Sequence, residues 1–426
     1  MFNRFKENKK VILERLTEII AMVISVSIII LVADNSETFN RGEKETEDDG
    51  LTLWYNDQRY DDYFTSLATD YEKVKGIKVN VKYMSDIDYL ENINKANKQT
   101  DDTLGRAPDI YLLDSDELEA AYGYGLAKEN DNSSYNLENY SPAAINAITY
   151  KGKKVAYPLT FDTEFMIYND AYFKSVPVNF QAIINYSKNF KFSENKDVKY
   201  IMYWNVEDIY HNYGFVGKYM NIGGESGDDK TKINVNTDEV KNAFNFYTEL
   251  SKDFGINISD DFSGLAKAFM NGEIIASIVT MDEYNELKEL DNPKKISYNI
   301  SYNICGLPDL NDESGTKPLS RTETLVVNYM SDKDKEAEEL AKYATYDRTD
   351  LIYSQTGLFS TKHTDYANAD YAVIQEQYDN SCILPKMLVT GDYFAQVQSV
   401  LNKAWNGAKV EDNLNTMYET YKTRLQ

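Results

Sequence analysis

The stretch that most constrains the fold of this chain lies at residues 155–172 and reads VAYPLTFDTEFMIYNDAY. Two short apolar runs, at residues 155–157 and 165–168, are separated by a mixed segment that begins with Pro158. Because proline has no backbone N–H to donate to a sheet ladder, the first strand is expected to end at Pro158 or to lie on a sheet edge there. Two strands joined by a short extended connector are typical of a chain that leaves one domain and enters another.

Length and composition are compatible with two or three domains with large cores. The chain has 426 residues, of which 42% are hydrophobic and 13% aromatic, with 35 tyrosines. Most tyrosines are expected to be half-buried packing residues, although a Tyr-rich surface also suits polar, hydroxylated ligands. The net charge is −24, and because residues 1–33 sum to +2, the remainder carries −26. Such a field repels phosphate backbones, so no nucleic-acid partner is expected.

Cysteines and histidines are too few to indicate a metal, cofactor or triad site. Cys305 and Cys382 cannot make a disulfide scaffold; one bridge between them stays an open alternative to two free thiols. Neither has a second Cys or a His at ligand spacing, and His211 and His363 are far apart. We therefore expect no cofactor, no metal and no catalytic residues.

The N-terminus has the pattern of an export signal. Residues 1–18 are basic and polar, and residues 19–33 form a hydrophobic run without charges. As a helix the run would span roughly 22 Å, short of the ~30 Å hydrocarbon core. Residues 1–33 are therefore either a signal peptide cleaved near Ala33 or, as we favour, an uncleaved anchor with its basic end in the cytoplasm. The acidic segment 34–50 is expected to be a flexible linker that reaches on the order of 20–25 Å.

Several motifs resemble the bacterial extracellular solute-binding proteins of the maltose-binding type, over roughly residues 51–426. They are G-K-x-x-A-Y-P at residues 152–158, Y-N-x-x-x-F at 168–173, P-D-I at 108–110 and LAKAFMNGEIIA at 265–276. The resemblance implies an α/β, two-lobed periplasmic-binding-protein type II fold with a hinge of three chain crossings. The expected N-terminal lobe is 51–160 plus 305–347, and the expected C-terminal lobe is 161–304 plus 348–426.

The first lobe supplies candidate ligand contacts after its strands. A strand at 51–55, a helix at 61–73 and a strand at 77–81 indicate a parallel pair with a right-handed crossover. In open α/β sheets ligands lie at the carboxyl ends of strands, where Gln58, Arg59, Asp116 and Glu117 are expected.

The family assigns sugar contacts to several of these positions. Asp116 agrees with an Asp that grips sugar hydroxyls, although a helix N-cap is an equal alternative for it. Glu117 stands where the relatives have Arg, and Leu113 where they have Trp, so the ligand or its pose must differ. Asp162 replaces a Glu that binds sugar in the family.

Candidate contacts in the second lobe are mostly aromatic. Trp204, Asp208 and Tyr210 follow a predicted strand at 200–204 and are expected to face the cleft, with core or helix-cap roles as alternatives. Tyr284 is the nearest substitute for a stacking Trp of the family. Phe394 falls where relatives place another stacking Trp, and Tyr393 precedes it.

The function implied by the resemblance is that of a monomeric extracytoplasmic component of an ABC importer, not an enzyme. It would capture a small solute, most plausibly an oligosaccharide, by hinge closure and deliver it to the permease subunits. The family's usual lipid-anchor Cys is absent, since Asp34 follows the hydrophobic run. A membrane-tethered sensor therefore remains an alternative, and the carboxylates at the cleft leave open a cationic solute such as a polyamine. A hydrolase with Asp116 and Asp162 as an acid/base pair is a third class, which the resemblance does not support because it carries no catalysis.

Overall fold

The computed structural model describes residues 50–130, 136–292, 298 and 300–425. By its internal contacts, Gly50–Gln426 forms one compact unit. The predicted signal or anchor segment, and all of the predicted linker except Gly50, lie outside the described residues.

The strands of the described chain make two principal sheets. The larger has the order β14-β6-β13-β3-β1-β2, with β15 also paired to β13; the smaller has the order β12-β7-β11-β8; β4 and β5, and β9 and β10, form separate hairpins. The strands are β1 (Leu51–Tyr55), β2 (Val79–Tyr83), β3 (Ile110–Asp114), β4 (Thr149–Tyr150), β5 (Lys153–Lys154), β6 (Tyr157–Thr163), β7 (Phe165–Asn169), β8 (Tyr200–Met202), β9 (Asn221–Gly223), β10 (Asp229–Asn234), β11 (Ile274–Val279), β12 (Tyr302–Cys305), β13 (Leu319–Val327), β14 (Phe359–Ser360) and β15 (Cys382–Ile383).

The helices flank these sheets. They are α1 (Asp61–Lys75), α2 (Tyr89–Asn97), α3 (Leu118–Gly123), α4 (Pro142–Ile148), α5 (Phe180–Asn189), α6 (Ile209–Asn212), α7 (Asp238–Phe254), α8 (Leu265–Met270), α9 (Met281–Leu290), α10 (Asp334–Lys342), α11 (Ile352–Thr356), α12 (Tyr371–Asp379), α13 (Thr390–Trp405) and α14 (Glu411–Arg424). We call the larger sheet with the β4–β5 hairpin, α1–α4 and α10–α12 the first lobe, and the smaller sheet with the β9–β10 hairpin, α5–α9, α13 and α14 the second lobe.

Local sequence explains the ends of several elements. Gly76, at φ 71°, ends α1 in the left-handed conformation that glycine adopts without steric cost. β4 and β5 are joined by a tight turn at Lys151 and Gly152, which have φ values of 49° and 76°. Positive φ at both central residues is the requirement of a type I′ hairpin.

The strand does not end at Pro158, which lies inside β6; the other expected alternative, an edge position, agrees with the pairing on one side, because the ladder to β14 includes only Thr160 and Phe161. β6 continues to Thr163, and the ladder to β13 changes register immediately beside Thr324, the partner of Pro158. The irregularity accommodates a residue that cannot donate a ladder bond. The carbonyl of Pro158 instead accepts a hydrogen bond of 2.9 Å from the hydroxyl of Thr361.

The described chain crosses between the two sheets at three places. It leaves the larger sheet at Glu164, returns between Cys305 and Leu319, and leaves again after Ile383 toward α13. Two of these crossings differ from the expected lobe boundaries. β6 keeps residues 161–163 in the larger sheet, and β14 and β15 pair with β6 and β13, so residues 359–383 follow the first lobe instead of the second. The physical reason is that the pairing of these short strands is long-range and leaves no local pattern in the sequence. The ladder partner of β14 lies about 200 residues away, and that of β15 about 60 residues away.

The two cysteines are both free thiols, and Cys305 is buried. Of the alternatives left open by the sequence, the structure has the unpaired one.

Candidate functional site

One edge of the larger sheet gathers charged side chains from four strands. β1 and β3 are parallel and end at this edge, and β13 runs antiparallel to β3, with Glu323 opposite Asp114. β6 runs antiparallel to β13, with Asp162 opposite Arg321. Because the first crossing begins one residue beyond β6, this edge faces the second lobe.

Two guanidinium groups converge on one buried carboxylate. Glu323, which is 4% exposed, accepts from Nη2 of Arg321 at 2.9 Å and from Nη2 of Arg59 at 3.2 Å. Arg321 also donates from Nε to Asp114 at 3.2 Å, and Arg59 from Nε to Asp57 at 2.8 Å. The fork geometry of a guanidinium group allows each arginine to bridge two carboxylates. The bonds of Arg59 to Asp57 and Glu323 thereby hold the loop after β1 against β13.

Asp116 and Glu117 lack a direct cation partner, although the charges of Arg321 and Lys386 act on Asp116 from farther away. Within the described part of the chain, neither carboxyl forms an ion pair, and both are half-buried in the short 3₁₀ turn Ser115–Glu117. Burial, and then the charge of Asp114, raise the pKa of Asp116 to about 7. Burial, and then the charges of Asp116 and Asp114, raise the pKa of Glu117 to about 8. These two groups therefore exchange protons near neutral pH, and a positive ligand group placed beside them would ionise them.

The second lobe contacts this edge directly. Oδ1 of Asp162 accepts the backbone N–H of Met281, the first residue of α9, at 3.0 Å. Nη1 of Arg59 lies 3.7 Å from Oδ1 of Asp282. Burial is the main cause that raises the pKa of Asp162 to about 6. The two lobes thus contact each other across the charged edge, and we call this arrangement closed.

On the second-lobe side, Asp208 is occupied by its own helix. Its Oδ1 accepts the backbone N–H of Tyr210 at 3.1 Å, and its Oδ2 lies 2.9 Å from Nδ1 of His211. The other ring nitrogen, Nε2 of His211, lies 2.9 Å from Oε1 of Glu283. This is the helix-cap role that the sequence left as an alternative for Asp208.

The buried histidine is held in its charged form. Burial alone would lower the pKa of His211, but the hydrogen bonds to Asp208 and Glu283 and the charges of these carboxylates outweigh burial and raise it to about 10. For Glu283, burial acts to raise the pKa, and the hydrogen bond and charge of His211 lower it to about 2. The ion pair links α6 to α9 behind the cleft.

Three of the predicted aromatic contacts lie in the core. Trp204, Tyr284 and Tyr393 are each 0% exposed. The indole N–H of Trp204 donates to Asn212 at 2.9 Å, and the hydroxyl of Tyr284 donates to Asp370 at 2.8 Å. A ring without an exposed face cannot stack on a solute, so in this arrangement these three positions are packing residues and not platforms.

The remaining predicted residues are accessible to different degrees. Gln58 is exposed on the loop after β1, and Arg59, Asp116, Glu117 and Asp162 lie together at the charged edge. Tyr210 is half-buried, and Asp114 and Asp116 of the first lobe are among the charges that act on it. Phe394 is half-buried and packs edge-on against Tyr213, with ring centroids 5.3 Å apart.

Sequence analysis missed the acceptors that complete the cluster. Asp57 and Asp114 adjoin residues that were singled out, and a count of carboxylates in the two loops would have included them. Arg321 and Glu323 lie in β13, and only the pairing of β13 with β3 and β6 brings them to this edge.

Neither a metal site nor a membrane span is found in the described residues. No group of three or more His, Cys, Asp or Glu side chains among them is placed to hold a metal ion. None of the helices within these residues is long and apolar enough to cross a membrane.

Comparison with known proteins gives curated relatives that match about half of the chain. Two maltooligosaccharide ABC transporter solute-binding lipoproteins, from two strains of Streptococcus pneumoniae, are each 24% identical to the chain, over 225 and 220 residues. The first alignment covers 50% of this chain and 50% of the relative, and the second covers 49% of each. The chain therefore spans about half the length of the curated relatives it matches.

Solved structures share the fold over most of the chain. An extracellular solute-binding protein from Staphylococcus aureus, in complex with maltose, has a TM-score of 0.75 at 20% identity and covers 89% of this chain and 98% of its own. A cyclo/maltodextrin-binding protein complexed with maltotetraose has a TM-score of 0.75 at 19% identity, with 90% and 99% covered. The maltose-binding periplasmic protein of Listeria monocytogenes has a TM-score of 0.72 at 18% identity, with 89% and 98% covered. These likenesses confirm the two-lobed α/β fold.

A family model described as bacterial extracellular solute-binding protein matches residues 66–373, which is more than half of the chain. Proteins of this kind bind solutes and do not convert them, and they act outside the cytoplasm. The chain belongs to the family of bacterial extracellular solute-binding proteins.

Proposed function

We propose that the protein captures an oligosaccharide between its lobes and delivers it to the permease subunits of an ATP-driven importer. The relatives that it matches carry maltooligosaccharide transport in their names, and two of the structural neighbours were solved with maltose. In this proposal the protein works as a monomer tethered through its N-terminal hydrophobic segment. The tether is a retained anchor, with a cleaved signal as the alternative.

The observation that carries the proposal is the convergence of strand-end polar groups from both lobes. Arg59 and the turn that follows β3 come from the first lobe, and Asp282 and Tyr210 come from the second. Carboxylates and guanidinium groups are the side chains that hold vicinal hydroxyls by paired hydrogen bonds. A solute that bridges the lobes would favour the closed state through contacts made only there.

A cationic solute is the second candidate, and two observations favour it. Asp116 and Glu117 form no ion pair within the described residues, and three of the predicted stacking rings are buried. A protonated amine beside these two carboxyls would offset their mutual repulsion and the cost of their burial. A neutral pyranose would not do so, and it would lack the exposed aromatic rings on which sugars stack.

Thermal melting of the full chain against a panel of solutes tests both candidates. Maltose, maltotetraose, a uronate, glucose and spermidine are added at concentrations that span the micromolar to millimolar range. A solute at 100 times its dissociation constant adds about 2.7 kcal/mol to the unfolding free energy, which shifts the midpoint by several degrees.

The outcomes separate the candidates. A shift with maltotetraose that is reduced in Asp162→Ala, but retained in the surface control Lys199→Ala, supports oligosaccharide capture. A shift with spermidine alone replaces the sugar by a cation in the same cleft. If none of these solutes shifts the midpoint, solute capture of both kinds is contradicted and the sensor alternative gains weight.

A further inference from the structure

A buried lysine joins the lobes at the third crossing. Lys386 follows β15 and is 0% exposed. Its Nζ donates to the carbonyl of Asn146 in α4 of the first lobe at 2.7 Å, and also to the carbonyl of Ser226 in the β9–β10 hairpin of the second lobe. Its backbone N–H donates to the carbonyl of Gly227 at 2.7 Å.

Further bonds across the lobes surround this lysine. Glu119 of α3 accepts the backbone N–H of Leu388 at 2.7 Å and pairs with Lys230 of β10 at 3.0 Å. The backbone N–H of Lys151, in the β4–β5 turn, donates to Asp228 at 2.5 Å. Every partner is a protein atom, so none of these bonds needs a solute as donor or acceptor.

The backbone is shaped for this close approach. Gly227 has φ +69°, and a Cβ at its position would lie 3.1 Å from Cα of Pro385. Only glycine combines that conformation with the narrow gap between the hairpin and the crossing. Lysine is almost never fully buried without partners. The two carbonyl groups, one from each lobe, are the partners that allow Lys386 to be buried here.

The charge of Lys386 is also unusual. Burial lowers its pKa to about 7, against the opposing charges of Asp228 and Asp116. An uncharged amine has two N–H groups, which equals the number of carbonyl acceptors that it meets here. The amine can thus lie in the interface without an uncompensated charge.

We propose that Lys386, together with Glu119, straps the two lobes together independently of solute, so that the solute-free protein already populates the closed arrangement. A closed state that is populated in advance raises the apparent affinity for solute, because the observed dissociation constant equals the intrinsic one divided by the competent fraction. The strap would therefore set the balance between open and closed lobes, whatever solute the cleft takes.

Hydrogen exchange of the solute-free full chain in mild detergent tests the strap. The amides of Lys151 and Leu388 donate across the lobes and are expected to exchange slowly in the wild type. Lys386→Met keeps the length of the side chain and removes its donors, so exchange at both amides is expected to become at least tenfold faster. The amide of Thr52, which donates to Asp109 within the first lobe at 2.8 Å, is the internal reference and should not change.

A matched variant separates strap loss from general destabilisation. Lys128→Met makes the same chemical change at a lysine whose partners, Asp334 and Glu338, lie in the same lobe. It should lower the melting temperature without speeding exchange at Lys151 or Leu388. If Lys386→Met does not fold, Glu119→Ala, which removes the other half of the strap, gives the same test.

Fast exchange at Lys151 and Leu388 in the solute-free wild type would overturn the proposal, because the lobes would then be open without solute. Unchanged slow exchange in the folded strap variant would overturn it as well. Because the experiment contains no solute, its result is independent of whether the oligosaccharide proposal holds.

Discussion

Arg321 and Glu323, two residues apart on one face of strand β13, lie 2.9 Å from each other at the centre of the charged edge. The arginine also reaches Asp114, so it is the cation shared by two buried or half-buried carboxylates. Its removal should therefore have consequences that depend on the ionisation of those groups.

Arg321→Met is expected to lower the unfolding free energy at pH 8 by about 3 kcal/mol, because it leaves Asp114 without its cation and Glu323 with Arg59 alone. At pH 4 the loss should be smaller, since protonated carboxyls need no cation. Denaturant unfolding at the two pH values measures the difference. Lys199→Met, which breaks an exposed pair with Glu273, should cost no more than about 1 kcal/mol at either pH. Equal losses at both pH values would contradict the role of Arg321 as a counter-ion.

Glu117→Gln is expected to stabilise the solute-free protein at pH 8. The pKa of Glu117 is raised to about 8, so between its unfolded value near 4.5 and pH 8 the folded state binds more protons than the unfolded state. The contribution of this carboxyl to stability therefore falls as the pH rises through that window, and glutamine removes the penalty. Melting temperatures of the variant and the wild type should be similar at pH 4 and diverge by pH 8. A lower melting temperature of the variant at pH 8 would contradict the unpaired state of Glu117.

Proton release distinguishes the two classes of solute. A cation bound beside Asp116 and Glu117 would lower their pKa values from about 7 and about 8, so binding at pH 7 should release protons. Titration calorimetry of spermidine in phosphate and in Tris should then give different apparent enthalpies, whereas a neutral oligosaccharide should give nearly equal ones. Equal enthalpies for a bound polyamine would place it away from these carboxyls.

His211→Asn is expected to destabilise the second lobe by about 3–5 kcal/mol, since it leaves Glu283 and Asp208 without their shared cation. The raised pKa of His211, about 10, gives stability that is full below its unfolded value near 6.5 and is lost as the pH rises through 10. The lowered pKa of Glu283, about 2, gives stability that is full above 4.5 and is lost as the pH falls through 2. The difference between variant and wild type should therefore be largest from pH 4.5 to 6.5. A difference that is flat from pH 3 to 10 would rule out this ion pair.

Tyr210→Phe and Tyr284→Phe remove the same hydroxyl from two different environments. Tyr210 is half-buried near charges of the first lobe. Removal of its hydroxyl should therefore weaken binding of the preferred solute severalfold and leave the melting temperature nearly unchanged. Tyr284 is buried and donates to Asp370, so its loss should lower stability by about 1 kcal/mol with little effect on affinity. Calorimetric titration and melting of both variants provide the comparison, and the reverse pattern would exchange the two roles.

The elements that sequence alone predicted are those set by short-range chemistry. The helix Leu265–Met270 ends before Gly272, which has φ 76°, and a strand follows, as the motif at 265–276 indicates. The turn at Lys151 and Gly152 and the helix stop at Gly76 follow from the same preference of glycine for positive φ. The two-lobed fold was predicted from the resemblance to a known family, which rests on motifs such as those at residues 152–158 and 265–276.

The composition of the cleft was decided by the tertiary structure. Arg321 lies next to Asp114 because β13 pairs with β3, and across a separation of 207 positions in sequence there is no local signal of that pairing. Trp204 is buried because α13 and α7 close over it, a consequence of packing that an aromatic residue after a strand does not reveal. Hydrophobic period and turn chemistry act over a few residues and determined the elements and their order. Composition alone determined the acidic character of the chain. Ladder register and burial act between residues far apart in sequence, and they decided which carboxylates share a cation, which rings face the cleft and where the lobes touch.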